Sequence, residues 1–95
     1  EILARNVRGR GYELDVVARR GTVLSFVEVK TLKARPRSAA DIETLLSPAK
    51  RQALYRGSEA WLIKHGPGGA TTWTFDLVTV ELGPPASLRV FAFKP

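Results

Sequence analysis

Two short runs of this chain place charged side chains where a strand usually carries aliphatic ones. Phe26-Val27-Glu28-Val29-Lys30 sets a carboxylate and a lysine two residues apart, and Glu13-Leu14-Asp15-Val16-Val17 does the same with two carboxylates. Strand side chains alternate faces, so Glu28 and Lys30 point the same way, as do Glu13 and Asp15. Charged groups are seldom buried without partners, and acids set among Val and Phe need a reason. Three acids and a lysine that converge can hold a divalent cation and activate a water. These residues lead to the expectation of a metal-dependent phosphodiesterase site.

Convergence depends on the turn between the runs. Gly21 can supply a positive φ, and a two-residue loop at Arg20-Gly21 sets Arg19 opposite Thr22. In that register Asp15 faces Phe26 and Glu13 faces Glu28, which brings Glu13, Asp15, Glu28 and Lys30 to one face. A four-residue loop preserves this pairing, whereas a three-residue loop sends the acids to opposite faces. Glu13 against Glu28 is a like-charge pair, unfavourable unless a cation or a proton bridges it. Glu13 is thus a candidate ligand, a neighbour of the ligands, or a plain surface acid.

The elements that must position these groups follow from local signals. Strands are expected over 2–7, 12–19 and 22–31, the first ending in the glycine turn Arg8-Gly9-Arg10-Gly11. A basic loop over 33–37 is held by Pro36, and one helical turn over 41–46 has Ser38 as its cap. Ser47-Pro48 starts a longer helix, a capping residue followed by proline in the first turn. That helix is expected to reach about Lys64, with Ala53, Leu54, Gly57, Ala60 and Trp61 towards the core, and to end at His65-Gly66. His65 reads as a C-terminal cap, Asp76 as a structural acid, and Trp61 and Trp73 as core residues. Gln52, early in the helix, is a candidate for orienting a water. Strands over 73–82 and 88–93 complete the chain. Two hairpin-linked strands followed by a strand–helix–strand step give an α/β fold with a mixed sheet, β-β-β-α-β-β, and the acids near its centre.

The 95 residues suit a single domain, 1–95, with one core. No apolar run approaches the ~18–20 residues of a membrane span, and no signal-peptide pattern opens the chain. Cysteine is absent, which excludes disulfides, thiolate catalysis and cysteine-ligated zinc and agrees with a reducing cytoplasm. A single histidine leaves no serine–histidine–acid arrangement, and no glycine-rich segment has phosphate-loop spacing. The chain has no methionine and opens within a pattern at Glu1-Ile2-Leu3, so a preceding segment is expected.

A net charge of +6 and a pI near 10.3 favour a polyanionic partner. Arg5, Arg8 and Arg10 precede the first acidic strand, Lys33, Arg35 and Arg37 follow the Glu-Val-Lys run, and Lys50 and Arg51 open the long helix. They flank the acids in sequence, as a phosphate-binding rim around a metal site would. The plainer alternative is a set of solubilising surface charges. No basic amphipathic helix with aromatic anchors points to a membrane surface.

Three strands, a helix and a strand that carry Asp and then Glu-x-Lys resemble the restriction-endonuclease-like, or PD-(D/E)xK, nuclease superfamily. More narrowly, five segments in order are similar to the YraN-like bacterial family. They are Ile2-Leu3-Ala4-Arg5-Asn6, Tyr12-Glu13-Leu14-Asp15-Val16-Val17-Ala18, Phe26-Val27-Glu28-Val29-Lys30-Thr31, Ser47-Pro48-Ala49-Lys50 and Phe75-Asp76-Leu77-Val78. That family is usually described as uncharacterised and related to archaeal Holliday junction resolvases.

The resemblance implies that Asp15 and Glu28 are metal carboxylates, with the Val29 carbonyl as third ligand. It implies that Lys30 orients the attacking water and offsets charge on the phosphate. The expected reaction is hydrolysis of nucleic-acid phosphodiesters, DNA before RNA, with Mg²⁺ or Mn²⁺; hard oxygen ligands suit such ions. Homodimers are common among the related resolvases. Members of the family usually begin with a helix that adds a glutamate, and this sequence starts after it. The site is then expected to be one ligand short and one sheet face uncovered. A binding module on the same fold that no longer cleaves is the second reading, and a structural domain with internal salt bridges the third.

Overall fold

β-Branched and aromatic residues recur along five runs, most of them set off by glycine or proline turns, and each run is a strand. The computed structural model describes residues 1–93, apart from the side chain of Ala39. In chain order the elements are β1 (Ile2–Gly9), β2 (Tyr12–Arg20), β3 (Val23–Leu32), α1 (Ala39–Thr44), α2 (Pro48–His65), β4 (Thr72–Glu81) and β5 (Ser87–Phe93). The strands form one sheet in the order β1-β2-β3-β4-β5. β3 and β4 run parallel and every other neighbouring pair is antiparallel. A parallel pair needs a crossover, and α1 with α2 provides it. The mixed α/β architecture and the central place of β3 are as expected from the sequence.

The turn between β2 and β3 lies one residue later than expected, which shifts the pairing register by two. Arg20 pairs with Val23 and Val17 with Phe26, so the loop is Gly21-Thr22. Gly21, with φ +60°, takes the first loop position, which type II′ turns reserve for glycine. The expected register would have put the arginine there instead. A shift of two preserves the side-chain alternation, so Phe26, Glu28 and Lys30 keep their face. Asp15 does not face Phe26, and Glu13 is not opposed to Glu28.

α2 starts as its sequence dictates. The Ser47 hydroxyl accepts a hydrogen bond from the Lys50 N–H at 3.1 Å, and Pro48 occupies the first turn. Gly66 closes it at φ 73°, its N–H donating to the Leu62 carbonyl at 2.8 Å. His65 adds to that end, its ring Nδ1 lying 3.2 Å from the Trp61 carbonyl and its ring stacking on Trp61 at 3.7 Å between centroids. Replacing Ser47 by alanine should lower stability by about 1 kcal/mol, the usual worth of such a cap. Urea unfolding measures this, and an unchanged midpoint would show that the cap contributes nothing.

The helix lies against β2. A Cβ at Gly57 would sit 2.9 Å from side-chain carbons of both Leu14 and Tyr12, so the missing side chain allows the close approach. Leu14, Val17, Leu24, Phe26, Leu46, Leu54, Ala70 and Leu77 form the buried core. Phe26, Phe75 and Phe93 make an aromatic row across the same sheet face, with centroids 5.7 and 6.2 Å apart. Trp61 is half-buried against this core, whereas Trp73 is 45% exposed at the start of β4, contrary to the core placement expected for it. The opposite face presents Val29, Leu88 and Val90 to solvent. Among the described residues no helix covers that face, and none is long and apolar enough to cross a membrane.

At one end of the sheet, Glu81 is buried. It accepts hydrogen bonds from Arg89 Nε and Nη2 at 2.9 and 2.7 Å and from the Ser87 hydroxyl at 2.6 Å. The sequence reading missed this pair. Its signal was a charge in an apolar run, Val80-Glu81-Leu82, the same kind that drew attention to Glu28.

Candidate metal centre and basic rim

Strand directions explain why the charged groups meet. β2 is antiparallel to β3, so Asp15, near the beginning of β2, lies beside Glu28 and Lys30, towards the end of β3. α2 returns over the sheet with its first turn at that same end, which delivers Lys50. Ligand sites of α/β sheets commonly form at the carboxyl ends of parallel strands, and β3 and β4 end here.

Glu28 is only 3% exposed. Its Oε1 lies 3.1 Å from Lys50 Nζ and 4.0 Å from Lys30 Nζ. Its Oε2 is buried and has no hydrogen-bond partner among the described residues. Thr79 Oγ1 is orphaned in the same way, and Thr79 is the register partner of Lys30. Burial pushes the Glu28 carboxyl above the usual carboxylate range. The hydrogen bond from Lys50 pulls it back, the negative charge of Asp15 adds to the rise, and the charges of Lys50 and Lys30 oppose it. Desolvation outweighs the two lysines.

Asp15 sits where regular strand structure breaks. Leu14 and Val17 are both fully buried, although residues three apart on a regular strand face opposite ways. Opposite this break, Asn6 takes φ 52°. The β2–β3 ladder runs only as far as Val16 and Val27. Beyond it, Asp15 Oδ2 accepts a hydrogen bond from the Val29 N–H at 2.8 Å. The carboxylate thus ties the diverging strands together next to Glu28.

Two expected participants are elsewhere. Glu13 faces Arg8 across β1 and β2 at 3.5 Å, in a pair whose side chains are 42% and 75% exposed. It is a surface acid, and such pairs contribute ~0–1 kcal/mol. Gln52 is exposed and lines a groove against α1 with Glu43 and Thr44. Two residues along a helix is a little over half a turn, so the residue after next to Lys50 points away from Glu28. Asp76 is structural as read, accepting from the Thr74 hydroxyl at 3.0 Å.

Most of the basic residues lie towards the same end, whereas Arg5, the register partner of Val16, projects from the opposite sheet face. Arg5, Arg8 and Arg10 are exposed on β1 and its turn, and Lys33, Arg35 and Arg37 are exposed on the segment leaving β3. Arg51 is half-buried, and its Nε donates to the Leu46 carbonyl at 3.3 Å. Arg37 and Arg51 line the wall, and Leu77 and Phe91 the floor, of a cleft of about 690 Å³ between α1 and β5. Leu77 is the register partner of Glu28, so the cleft adjoins the carboxylate. Among the described residues no group of three or more His, Cys, Asp or Glu is placed to hold a metal ion. The centre offers two carboxylates.

These features define a class: a mixed α/β domain consistent with the restriction-endonuclease-like fold, with an acid pair and a lysine towards the end of its central strand. Residues 1–80 match the profile of a family described as uncharacterised protein family UPF0102. The chain belongs to that family, which bears out the resemblance of its segments to the YraN-like bacterial proteins. A UPF0102 protein of Symbiobacterium thermophilum is 42% identical over 88 residues, 93% of this chain and 72% of that protein. One from Methylocella silvestris is 39% identical over 79 residues, 83% of this chain and 60% of the relative. One from Geobacter sulfurreducens is 33% identical over 89 residues, covering 94% and 67%. The chain thus spans only about three fifths of the Methylocella protein's length.

Proposed function

We propose that this domain hydrolyses phosphodiester bonds of nucleic acid, structured or branched DNA before RNA, with Mg²⁺ or Mn²⁺ as cofactor. The supporting observation is the divided state of Glu28: one oxygen among lysines, the other buried without a partner. An orphaned carboxylate oxygen costs stability, and a hard cation relieves that cost. The donor set fits such an ion. Asp15 and Glu28 supply carboxylates and Val29 a carbonyl, and Mg²⁺ ordinarily keeps several waters besides a few carboxylates. When bound, the ion acidifies a coordinated water and offsets charge on the phosphate.

The remaining groups act as themselves. Lys30, half-exposed beside Glu28, orients the attacking water and offsets negative charge on the phosphate. Arg8, Arg10, Lys33, Arg35 and Arg37 hold the flanking backbone. Binding through such contacts falls steeply with salt, because each phosphate engaged releases counterions.

Calorimetric titration of Mn²⁺ into the wild type and Asp15→Ala tests the site, followed by cleavage of duplex, flap and four-way-junction DNA. We expect binding that Asp15→Ala abolishes and cleavage that disappears in Asp15→Ala and Lys30→Ala. Cleavage that survives both substitutions would refute the assignment. The limited carboxylate count favours one second reading, a nucleic-acid-binding module that no longer cleaves. It predicts the same steep salt dependence with every DNA intact at the end of the assay.

A further inference from the structure

Lys50 is closer to Glu28 than Lys30 is, at 3.1 against 4.0 Å. It occupies an unusual place for a lysine. The first turn of α2 contains no acidic residue, although the positive end of the helix dipole favours acids and disfavours cations there. The Ser47 cap fixes the backbone of Lys50 through its N–H. The Lys50 side chain is 37% exposed, and its flexible stem leaves the ammonium free to move. A cation on a flexible stem, a helix N-terminus and Arg51 together make a positive locus with Glu28 in reach.

Resting on the metal-site reading above, we propose that Lys50 is a displaceable counter-ion of Glu28. Without metal it offsets the buried carboxylate charge; when Glu28 takes a divalent cation, Lys50 is released to the substrate phosphate. Two cations held on one carboxylate repel each other, so Lys50 weakens metal binding in the absence of nucleic acid. Released, it adds a phosphate contact, which makes metal and nucleic acid bind cooperatively. Because binding couplings are reciprocal, nucleic acid must then raise metal affinity by the same factor.

The test is Mn²⁺ calorimetry on the wild type, Lys50→Met and Lys50→Arg, with thermal melts of each in metal-free buffer. Lys50→Met keeps the apolar stem and removes the charge. It should bind Mn²⁺ about tenfold more tightly than wild type, within the usual range of coupling between sites, while Lys50→Arg stays near wild type. In metal-free buffer Lys50→Met should melt lower, and a Glu28→Gln background should erase that difference. A residue that only packs against the sheet cannot raise metal affinity when removed. Equal or weaker Mn²⁺ binding by Lys50→Met, with a wild type that binds, would overturn the counter-ion role and leave the metal site standing. A melting loss that persists in the Glu28→Gln background would assign Lys50 to packing and overturn it too. Absence of Mn²⁺ binding in all three proteins would overturn the metal site and this role together.

Discussion

Glu28→Gln should abolish metal-dependent cleavage and, in metal-free buffer at neutral pH, make the protein more stable. Losing a charged ligand forfeits the several kcal/mol that a positioned ion supplies to a phosphoryl transition state, or roughly three orders of magnitude in rate. The stability gain comes from the same burial. The folded-state pKa of Glu28 is raised, chiefly by desolvation, so the folded chain holds this proton more tightly than the unfolded chain. Its contribution is fully present below the ordinary carboxylate pKa and is lost as pH rises through the raised one. A glutamine never ionises and escapes that loss. A gain of about 1 kcal/mol, what is left of a several-kcal/mol desolvation penalty once the two lysines offset most of it, raises the melting temperature of a domain this size by roughly 4–8 °C.

Thermal melts of wild type and Glu28→Gln in chelator from pH 4 to pH 8 measure this, and the gap should widen as pH rises. A gap that closes with rising pH would mean that Lys50 and Lys30 fully compensate the ionised carboxylate. Glu81 supplies an internal contrast. The Ser87 hydroxyl and then Arg89 hold its carboxyl below the usual range, so its contribution is present above the ordinary pKa and is lost as pH falls through the lowered one. Both acids are buried at the same end of the sheet, yet their charges act on stability in opposite directions. Glu81 is fully partnered and structural. Glu28 carries a charge that weakens the fold, the pattern expected of a functional group.

Gly57→Leu should undock α2. The Cβ alone would lie 2.9 Å from side-chain carbons of both Leu14 and Tyr12 and 3.0 Å from a second carbon of Leu14. Leu14 is fully buried and has nowhere to move. Overpacking of this kind costs about 1–3 kcal/mol, and a leucine belongs at the upper end. Helix propensity works the other way, since glycine in a helix interior is about 1 kcal/mol worse than alanine. Gly57→Ala should therefore fall between wild type and Gly57→Leu in a urea titration. A leucine variant as stable as wild type would show that helix and sheet separate without cost.

Much of the fold was legible because its signals are local. Alternation over a few residues sets the strands, Ser47-Pro48 starts α2, and Gly66 ends it. Those same signals misjudged the β2–β3 turn, since both Arg20-Gly21 and Gly21-Thr22 are loops containing glycine. Only the preference for glycine at the first position separates them. Trp73 reads as core by residue type, but its place at the start of β4 leaves it exposed. Nothing local distinguishes Glu81 from a solvated acid until Ser87 and Arg89 arrive from the neighbouring strand.

The candidate site divides along the same line. The shared face of Glu28 and Lys30 follows from the geometry of a single strand, and the overall positive charge with its clusters follows from composition; the sequence alone determined both. Tertiary structure decided that Asp15 leaves the strand alternation to bind the Val29 N–H, that Glu13 turns to Arg8, and that Lys50 reaches Glu28 first. These depend on how far the β2–β3 ladder extends and on where the crossover helix lands. Both outcomes are set by packing between segments distant in the chain, which no local pattern of residues encodes.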